Sequence, residues 1–494
     1  MQIRFGLDAV QLRKDKQVQI IWDSEKLVNG HTLLVGMSGA GKTYLLRKMI
    51  SHMLQTSGQD IPRIHVFDIH GDLEIRGASE VRFSERSNWG LNPLRVNPDP
   101  HFGGIRKRVQ AFISTMDRSM RAMGTKQEAC LRNLLMDVYA QYGFKADDPS
   151  TWLVEDETAV MMTDGHDDRL FIDVPKAEKD EAKALGARWS GGPLYSWFVP
   201  QDQYIGPVTR WPPKLMARTH PSIKDVLRMA QNIHQQSFLG TSAEAVGYLE
   251  VANRASSSYR KKVMQALRKG EANFEDEAAK VDLDKAKAKA IDSYTTYVES
   301  ITTGRELTSL MKYDSTDVLK SVVDRLHNLD AIGIFKPAQP PFSETNPVWR
   351  YNLQALSMTE RKLFVLFRLE EIFLAALERG PQDSIRDVII LDEAHVFADE
   401  SEDNIINTIA KEARKFGISL VAASQSPTHF PQDFVASVAT KVVLGIDEIF
   451  WKPSATKLRL REDALAWVTP TKTMLVQLKM KGETQNDWHW CSIA

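Results

Sequence analysis

The chain has 494 residues, 43% of them hydrophobic and 26% charged, and its formal net charge of −1 excludes a global field that would attract nucleic acid. Two cysteines, Cys130 and Cys491, are too few for a disulfide framework, lack metal-ligand spacing and suit a reducing compartment. No apolar run reaches the ~18 residues of a membrane-spanning helix and the start lacks a signal-peptide pattern, so we expect a cytoplasmic protein of one to three domains.

The first distinctive stretch combines an apolar run, a glycine cluster and a leucine-rich segment. "HTLLVG" predicts a buried strand, and the helical spacing of apolar residues in "KTYLLRKMISHML" predicts a helix. The loop between them matches G-x-x-x-x-G-K-[ST] at every fixed position. Its residues are Gly36, Met37, Ser38, Gly39, Ala40, Gly41, Lys42 and Thr43. Strand, glycine loop and helix form the context that this phosphate-binding motif requires.

These residue types suit a bound triphosphate. Glycines let backbone N–H groups turn toward one point, and the helix N-terminus adds partial positive charge there. Lys42 can reach the β- and γ-phosphates and the Thr43 hydroxyl can ligate Mg²⁺, so we expect a nucleotide site over residues 36–44, which ends at Tyr44. The alternative, a plain glycine turn, is disfavoured by the complete match. The motif predicts nucleotide binding without specifying a reaction.

A second predicted strand, "RIHVFD", ends in Asp68. In open α/β sheets the ligand crevice lies outside the carboxyl ends of the strands. We therefore expect Asp68 to border the nucleotide.

A helical stretch with local basic excess follows at residues 101–145. Its basic residues are opposed between His101 and Arg132 only by Asp117 and Glu128. They are Arg106, Lys107, Arg108, Arg118, Arg121, Lys126 and Arg132. This surface could face DNA phosphates, or it could be solvated and paired within the protein.

Residues 169–212 predict a small unit of strand, short helix, glycine turn and strand. Its "KDEAKALGARW" segment resembles a small domain of unknown function found beside primase- and helicase-like proteins of mobile elements. Arg188, Trp189 and Trp197 could stack on or bind nucleic acid. Alternatively, the tryptophans belong to the core of the small domain.

Residues 220–335 are mostly helical in pattern, and the proline-rich "KPAQPPFSETNP" predicts a loop that leads to another strand, "VWRYNL". A long apolar helix is predicted in "TERKLFVLFRLEEIFLAALERG". The tail holds two strand-like pieces, "KVVLGI" and "TMLVQLKM", and an aromatic end, "DWHWCSIA", which could dock on its own core or on a partner.

Near residue 390, "DVIILDEAHVFADE" places two acids directly after four apolar residues. We expect Asp392 to help hold Mg²⁺ from the second coordination shell of the ion. We expect Glu393 to act as general base on the attacking water. A solvated acid pair at a strand end is the alternative. The next strand, "GISLVAASQ", ends in Gln425, whose amide could donate to a phosphate or orient a water, or could be a plain polar strand terminus.

Five segments in this order resemble the HerA/FtsK-type P-loop ATPases: "HTLLVGMSGAGKT", "IHVFDIHGDLE", "GLNPL", "VIILDEAHVF" and "EARKFGISLVAASQSP". That family includes DNA-pumping HerA helicases and the VirB4- and VirD4-type ATPases of conjugation, and the resemblance covers roughly residues 18–145 and 320–480. It implies an α/β fold, a RecA-like P-loop ATPase core with a large, mostly helical insertion and a small α+β insert. The expected divisions are core at 1–100 and 336–494, helical insertion at 101–168 and 213–335, and the small insert at 169–212.

The resemblance also implies roles for single residues. Lys42 and Thr43 match the Walker A pair, Asp392 and Glu393 match Walker B, and Gln425 matches a sensing glutamine. Arg414 matches an arginine that can serve the site of a neighbouring subunit, with Arg305 and Arg325 as weaker candidates. The alternative for Arg414 is a solvated surface position.

At the level of the whole protein, the resemblance implies a ring, usually a hexamer, with ATP and Mg²⁺ at subunit interfaces and a central channel for DNA. We expect an ATP hydrolase that translocates along or unwinds DNA, in a phage-defence or mobile-element system. Two alternatives stay open: an oligomeric scaffold that activates a nuclease or NAD-consuming effector, and a conjugation or secretion ATPase.

Overall fold

The computed structural model describes residues 1–58, 60–154, 159–162, 169–190, 196–240, 242–269, 276–301, 312–313, 315–336, 338–399, 404–484 and 486–493. The chain divides into two compact units. The first unit comprises Met1–Pro93, Arg118–Met120 and Ile332–Ala494, and the second unit comprises Leu94–Asp117 and Arg121–Ala331.

Strands and helices are numbered separately in chain order. The strands are β1 (Gln2–Asp8), β2 (Gln19–Asp23), β3 (Thr32–Gly36), β4 (Arg63–Asp68), β5 (Ser79–Arg82), β6 (Ala159–Met161), β7 (Arg169–Ile172), β8 (Arg188–Trp189), β9 (Trp197–Pro200), β10 (Leu215–Ala217), β11 (Val348–Asn352), β12 (Asp387–Leu391), β13 (Ile418–Ser424), β14 (Thr440–Gly445), β15 (Thr473–Leu478) and β16 (Trp488–Ser492). The helices are α1 (Ala9–Leu12), α2 (Lys42–Thr56), α3 (Ile105–Ser119), α4 (Thr125–Gln141), α5 (Lys179–Ala184), α6 (Ile223–Leu239), α7 (Ala243–Arg268), α8 (Glu277–Ser300), α9 (Thr316–Ala331), α10 (Met358–Arg379), α11 (Ile405–Glu412), α12 (Gln432–Ser437), α13 (Trp451–Leu458) and α14 (Glu462–Trp467).

Eleven of the described strands form the sheet of the first unit, in the order β2-β1-β16-β15-β14-β3-β13-β12-β4-β11-β5. The strands from β14 to β5 run parallel to their neighbours. The remaining pairs, which involve β15, β16, β1 and β2, are antiparallel. Because β3, β13 and β12 are adjacent and parallel, their carboxyl ends meet at one edge of the sheet. This edge is where the predicted nucleotide residues lie.

The central strands are buried along their whole length. Every residue of β3, β12 and β13 is buried, as expected for parallel strands that are covered on both faces. Helix α2 packs its apolar face into the same core through Leu45, Leu46, Met49, Ile50 and Met53. This packing fixes the start of α2 above the end of β3.

Helix α10 shows why the predicted apolar helix forms where it does. At its start, the Ser357 hydroxyl accepts from the Glu360 N–H at 3.4 Å, and a Glu360 carboxylate oxygen accepts from the Ser357 N–H at 2.6 Å. At its end Gly380 has φ 80°, a left-handed value that glycine adopts without strain.

The structure confirms the predicted elements around the sheet. Every predicted core strand and both flanking helices are present, which confirms the α/β fold with a parallel-rich sheet. The aromatic tail forms β16 and pairs with β15 and β1, so it docks on its own sheet. Among the described residues, no helix combines the length and apolar character needed to cross a membrane.

In the second unit, β7, β9 and β8 form a small antiparallel sheet. Its core consists of Ile172, Ala182, Ala187, Val199, Val208 and Trp211. The expectation that Trp189 belongs to the core of this small domain is wrong. The exposed fraction of Trp189 is 44%, whereas that of Trp211 is 2%. The reason is that β8 is a two-residue edge strand, where Trp189 packs edge-to-face on Trp197 at 5.4 Å. The predicted glycine turn lies outside the described residues.

Candidate nucleotide-binding site

The glycine loop joins the end of β3 to the start of α2. Gly39 and Gly41 have φ 77° and 95°, values that strain any residue with a side chain. A Cβ on Gly36 would lie 3.1 Å from Leu444 Cβ and 3.2 Å from Ala40 Cβ. Gly41 precedes α2 and no side chain caps the helix, so its first N–H groups face the loop. The conformation therefore requires these glycines and leaves backbone donors for an anion.

Lys42 lies over this loop. Its Nζ donates to the carbonyls of Gly36 at 2.8 Å and Met37 at 3.3 Å, and it is 3.9 Å from Glu393 Oε1. A phosphate offers this ammonium a charged acceptor that is stronger than two neutral carbonyls. The Lys42 ammonium is thus positioned to exchange its hydrogen bonds with the loop carbonyls for bonds to a phosphate group.

The paired acids follow β12 directly. Asp392 is 5% exposed, and burial raises its pKa to about 6, with further contributions from the nearby Glu393 and Asp72 carboxylates. Its Oδ1 accepts from the Glu393 N–H at 3.1 Å. A buried carboxylate among other carboxylates is the arrangement that a divalent cation relieves, so the donor set fits Mg²⁺.

Glu393 follows β12 and adopts φ 51°, a left-handed value that is uncommon for a residue with a side chain. Its Oε1 accepts from Gln425 Nε2 at 3.4 Å, on the side of Lys42. Because β13 lies between β3 and β12, the exposed Gln425 sits between the phosphate-binding loop and the acids. The structure thus brings Lys42, Glu393 and Gln425 together from distant parts of the sequence.

Asp68 has a different environment from the one expected. It is 0% exposed, and its Oδ2 accepts from Arg350 Nε at 3.0 Å and Nη2 at 2.7 Å. The N–H groups of Gly71 and Leu73 also donate to its carboxylate, at 2.7 and 3.1 Å. These bonds occupy the carboxylate in the described structure, which supports a structural interpretation over contact with the nucleotide.

Arg414 lies at the opposite edge of the sheet. It belongs to the 3₁₀ turn Ala413–Phe416, which precedes β13, whereas Gln425 follows that strand. Seven strand residues span about 23 Å at ~3.3 Å each. Arg414 is therefore too far to reach the nucleotide site of its own chain, and it is exposed.

The other predicted positions lie in different environments. Tyr44 is 64% exposed on the first turn of α2. Arg325 lies on α9 and donates to the Arg121 carbonyl, while Arg305 lies outside the described residues. Arg108 is 5% exposed, so it does not belong to a surface that could face DNA.

Sequence reasoning missed four residues around the predicted site: Arg350, His395, Ser424 and His429. His395 stands two positions after Glu393, so the "DEAH" run was a visible local sign. Arg350 carries no local sign, because its partner Asp68 is 282 positions away.

Comparison with known proteins agrees with this geometry. Residues 10–164 match the family described as "Helicase HerA, central domain", and residues 169–213 match a domain of unknown function, DUF5710. The DNA double-strand break repair helicase HerA of Pyrococcus furiosus is 36% identical over 81 residues. The DNA primase TraC of Escherichia coli is 48% identical over 44 residues. These segments are 16% and 9% of this chain but span only 15% and 3% of the two relatives.

Among solved structures, VirB4 of Thermoanaerobacter pseudethanolicus aligns with 100% of this chain and 96% of its own, with a TM-score of 0.54 and 14% identity. At that identity the likeness shows the fold alone, an α/β arrangement around a parallel-rich sheet. The complete phosphate-binding motif and the matches to HerA make this chain similar to the HerA/FtsK-type P-loop ATPases over the matched residues.

Proposed function

We propose that this protein hydrolyses ATP with Mg²⁺ at the edge of the sheet formed by the carboxyl ends of β3, β13 and β12. The observation that carries the proposal is the 3.9 Å approach of Lys42 Nζ to Glu393 Oε1, which unites Walker A and Walker B residues. A phosphate-binding loop beside a buried carboxylate is the arrangement that phosphoryl transfer to water needs.

Each residue has a separate task in this proposal. Lys42 moves from the loop carbonyls to the β- and γ-phosphates, while Thr43 and Asp392 hold Mg²⁺, which neutralises developing phosphate charge. Glu393 Oε1 accepts the proton of the attacking water. Gln425, 3.4 Å from that oxygen, orients the water or reports the γ-phosphate.

The test removes the base and keeps the shape. Glu393→Gln should bind ATP with an affinity near that of the wild type and lose about 10²–10⁴ in turnover, because the amide cannot accept the proton. The matched control, Lys42→Ala, should lose nucleotide binding as well. Equilibrium binding of a fluorescent ATP analogue and phosphate release measure the two effects, and undiminished turnover of Glu393→Gln would refute the assignment.

We further propose that hydrolysis drives movement along DNA by a ring of subunits, usually six. The named relative HerA supports this proposal, as does an exposed Trp189 beside an exposed Arg188, which could stack on a nucleic acid. DNA should raise turnover several-fold at low salt, and the effect should fall steeply as salt rises. In this proposal the ATPase core comprises residues 1–100 and 336–494, and the protein works in a phage-defence or mobile-element system.

The scaffold alternative predicts a different pattern. A protein that organises an effector nuclease or NAD-consuming protein should assemble with an ATP analogue and show no DNA stimulation. A conjugation or secretion ATPase should need membrane partners. Mass measurement with and without the analogue, beside the DNA titration, distinguishes these outcomes.

A further inference from the structure

A polar cluster lies beside the proposed catalytic base, and no step proposed above uses it. We define the His395 cluster as Glu393, His395, Ser424 and His429. His395 Nδ1 is 3.3 Å from Glu393 Oε2 and also 3.3 Å from Ser424 Oγ. Ser424 Oγ is in turn 3.1 Å from His429 Nδ1. The cluster therefore links the acid after β12 to the last residue of β13.

The second oxygen of Glu393 needs a donor. Oε1 faces Lys42 and Gln425, whereas Oε2 is buried and makes no aligned hydrogen bond within the described residues. A buried carboxylate oxygen without a donor is costly, so the group that satisfies it holds the carboxylate in place. Among the described contacts, His395 Nδ1 is the nitrogen that approaches Oε2, at 3.3 Å.

The hydrogens that each group carries determine which group donates in each hydrogen bond. Ionised Glu393 only accepts, so His395 Nδ1 must carry the hydrogen that meets Oε2. Ser424 has one hydrogen, which can go to His429 Nδ1 or to the Ser426 carbonyl at 3.4 Å. The one hydrogen on His395 Nδ1 is then shared between Glu393 Oε2 and a lone pair of Ser424 Oγ, each at 3.3 Å from that nitrogen. Both contacts of His395 use the same nitrogen, so the ring orients its neighbours and does not relay a proton between them.

We propose that His395 is a positioning residue for the catalytic base. Its Nδ1–H holds Oε2 of Glu393, so that Oε1 stays turned toward Lys42, Gln425 and the attacking water. Ser424 anchors His395 to the end of β13, directly before Gln425. Consecutive residues of one strand end thus support both oxygens of the base. This inference rests on the proposed ATP hydrolysis.

The environment of the ring agrees with this role. Burial lowers the pKa of His395 below its ordinary value, although Glu393 opposes the shift. The imidazole is therefore neutral at neutral pH, with one nitrogen carrying the hydrogen.

Three substitutions of His395 distinguish a role in positioning Glu393 from a contribution of side-chain volume alone. In His395→Asn, the amide nitrogen takes the place of Nδ1, whereas in His395→Gln it takes the place of Nε2. His395→Asn should keep kcat within about threefold of wild type, while His395→Gln and His395→Ala should lose about 10–100-fold, because a base oriented loosely is a poor proton acceptor. KM for ATP and the affinity for a non-hydrolysable analogue should stay unchanged in all three.

A double variant tests the anchor. Ser424→Ala should lower kcat by a smaller factor, about 3–10-fold, and should add nothing further in the His395→Ala background, because both act through Glu393. Thermal midpoints of all variants identify any loss that comes from unfolding.

The outcomes are distinguishable. Wild-type kcat in His395→Ala, an equal loss in His395→Asn and His395→Ala, or full additivity with Ser424→Ala each overturns the positioning role. Wild-type protein that binds ATP without hydrolysing it overturns the proposed function instead.

Discussion

At the scale of single residues, the candidate site concentrates negative charge around a buried carboxyl group. Asp392 lies buried beside Glu393 and near Asp72, and its pKa rises to about 6. The native state therefore holds this proton to higher pH than the unfolded chain does. Such an arrangement lowers stability at neutral pH and is retained where a cation is to be bound.

The pH dependence follows from that shift. Between the ordinary carboxyl pKa near 4 and the raised value of about 6, the native state binds more protons, so stability falls as pH rises through this window. Well above pH 6, the ionised Asp392 lowers the free energy of unfolding by its full amount, up to about 3 kcal/mol. Asp392→Asn should therefore stabilise the nucleotide-free protein at about pH 8, by an amount that shrinks at about pH 5.

Denaturant unfolding at the two pH values measures this effect, and Asp387, the first residue of β12, is the matched control. Burial pushes the pKa of Asp387 up, but bonds from His65 and Arg379 outweigh it and hold the pKa below its ordinary value. Asp387→Asn should thus destabilise. With Mg²⁺ and an ATP analogue, wild type should gain thermal stability that Asp392→Asn lacks. An Asp392→Asn protein less stable than wild type at about pH 8 contradicts the account.

At the scale of elements, an ion pair joins neighbouring strands of the sheet. Arg350 on β11 binds Asp68 at the end of β4, and its Nη1 also contacts Glu80 on β5 at 2.6 Å. Arg350 is 4% exposed and Asp68 is fully buried, so each compensates the charge of the other. The pair also holds the turn after β4, because Arg350 Nη2 donates to the Gly71 carbonyl at 3.0 Å.

Removing one partner of this ion pair should strongly destabilise the folded protein. Arg350→Met leaves a buried carboxylate with only two backbone donors, and we expect a loss of about 3–5 kcal/mol in the free energy of unfolding. The double variant with Asp68→Asn should recover part of this loss. Chemical denaturation measures both.

Asp68→Asn alone then distinguishes a structural role from contact with the nucleotide. It should lower stability and leave KM for ATP unchanged, since the carboxylate has no exposed surface. A raised KM with unchanged stability would instead restore the original expectation that Asp68 borders the nucleotide.

At the scale of the whole molecule, Arg414 and the nucleotide site lie on opposite edges of the same sheet. A residue about 23 Å from its own site can serve catalysis only at the site of another subunit. This placement supports the proposed ring, in which each subunit completes the site of its neighbour.

Mixing two inactive proteins tests that arrangement. Arg414→Ala keeps an intact site and lacks the donated arginine, whereas Glu393→Gln has lost its base and retains Arg414. Each alone should be nearly inactive, and their mixture should recover a substantial fraction of wild-type turnover, because mixed rings contain complete sites. Arg325→Ala is the control and should hydrolyse ATP normally. No recovery in rings shown by mass to be mixed would exclude a role in trans.

The sequence by itself determined what is local. The phosphate-binding loop depends on glycines at fixed spacing, and the buried strands around it are continuous apolar runs, so both are visible in short windows. The likeness of several ordered segments then indicated the fold.

Tertiary structure alone decided what depends on strand order. It placed β13 between β3 and β12, which brings Gln425 to Glu393 and Ser424 to His395. It also paired Asp68 at the end of β4 with Arg350 on the adjacent strand β11. The physical reason is that each of these contacts joins residues on different strands, and the hydrophobic pattern of a parallel strand does not specify which strand lies beside it.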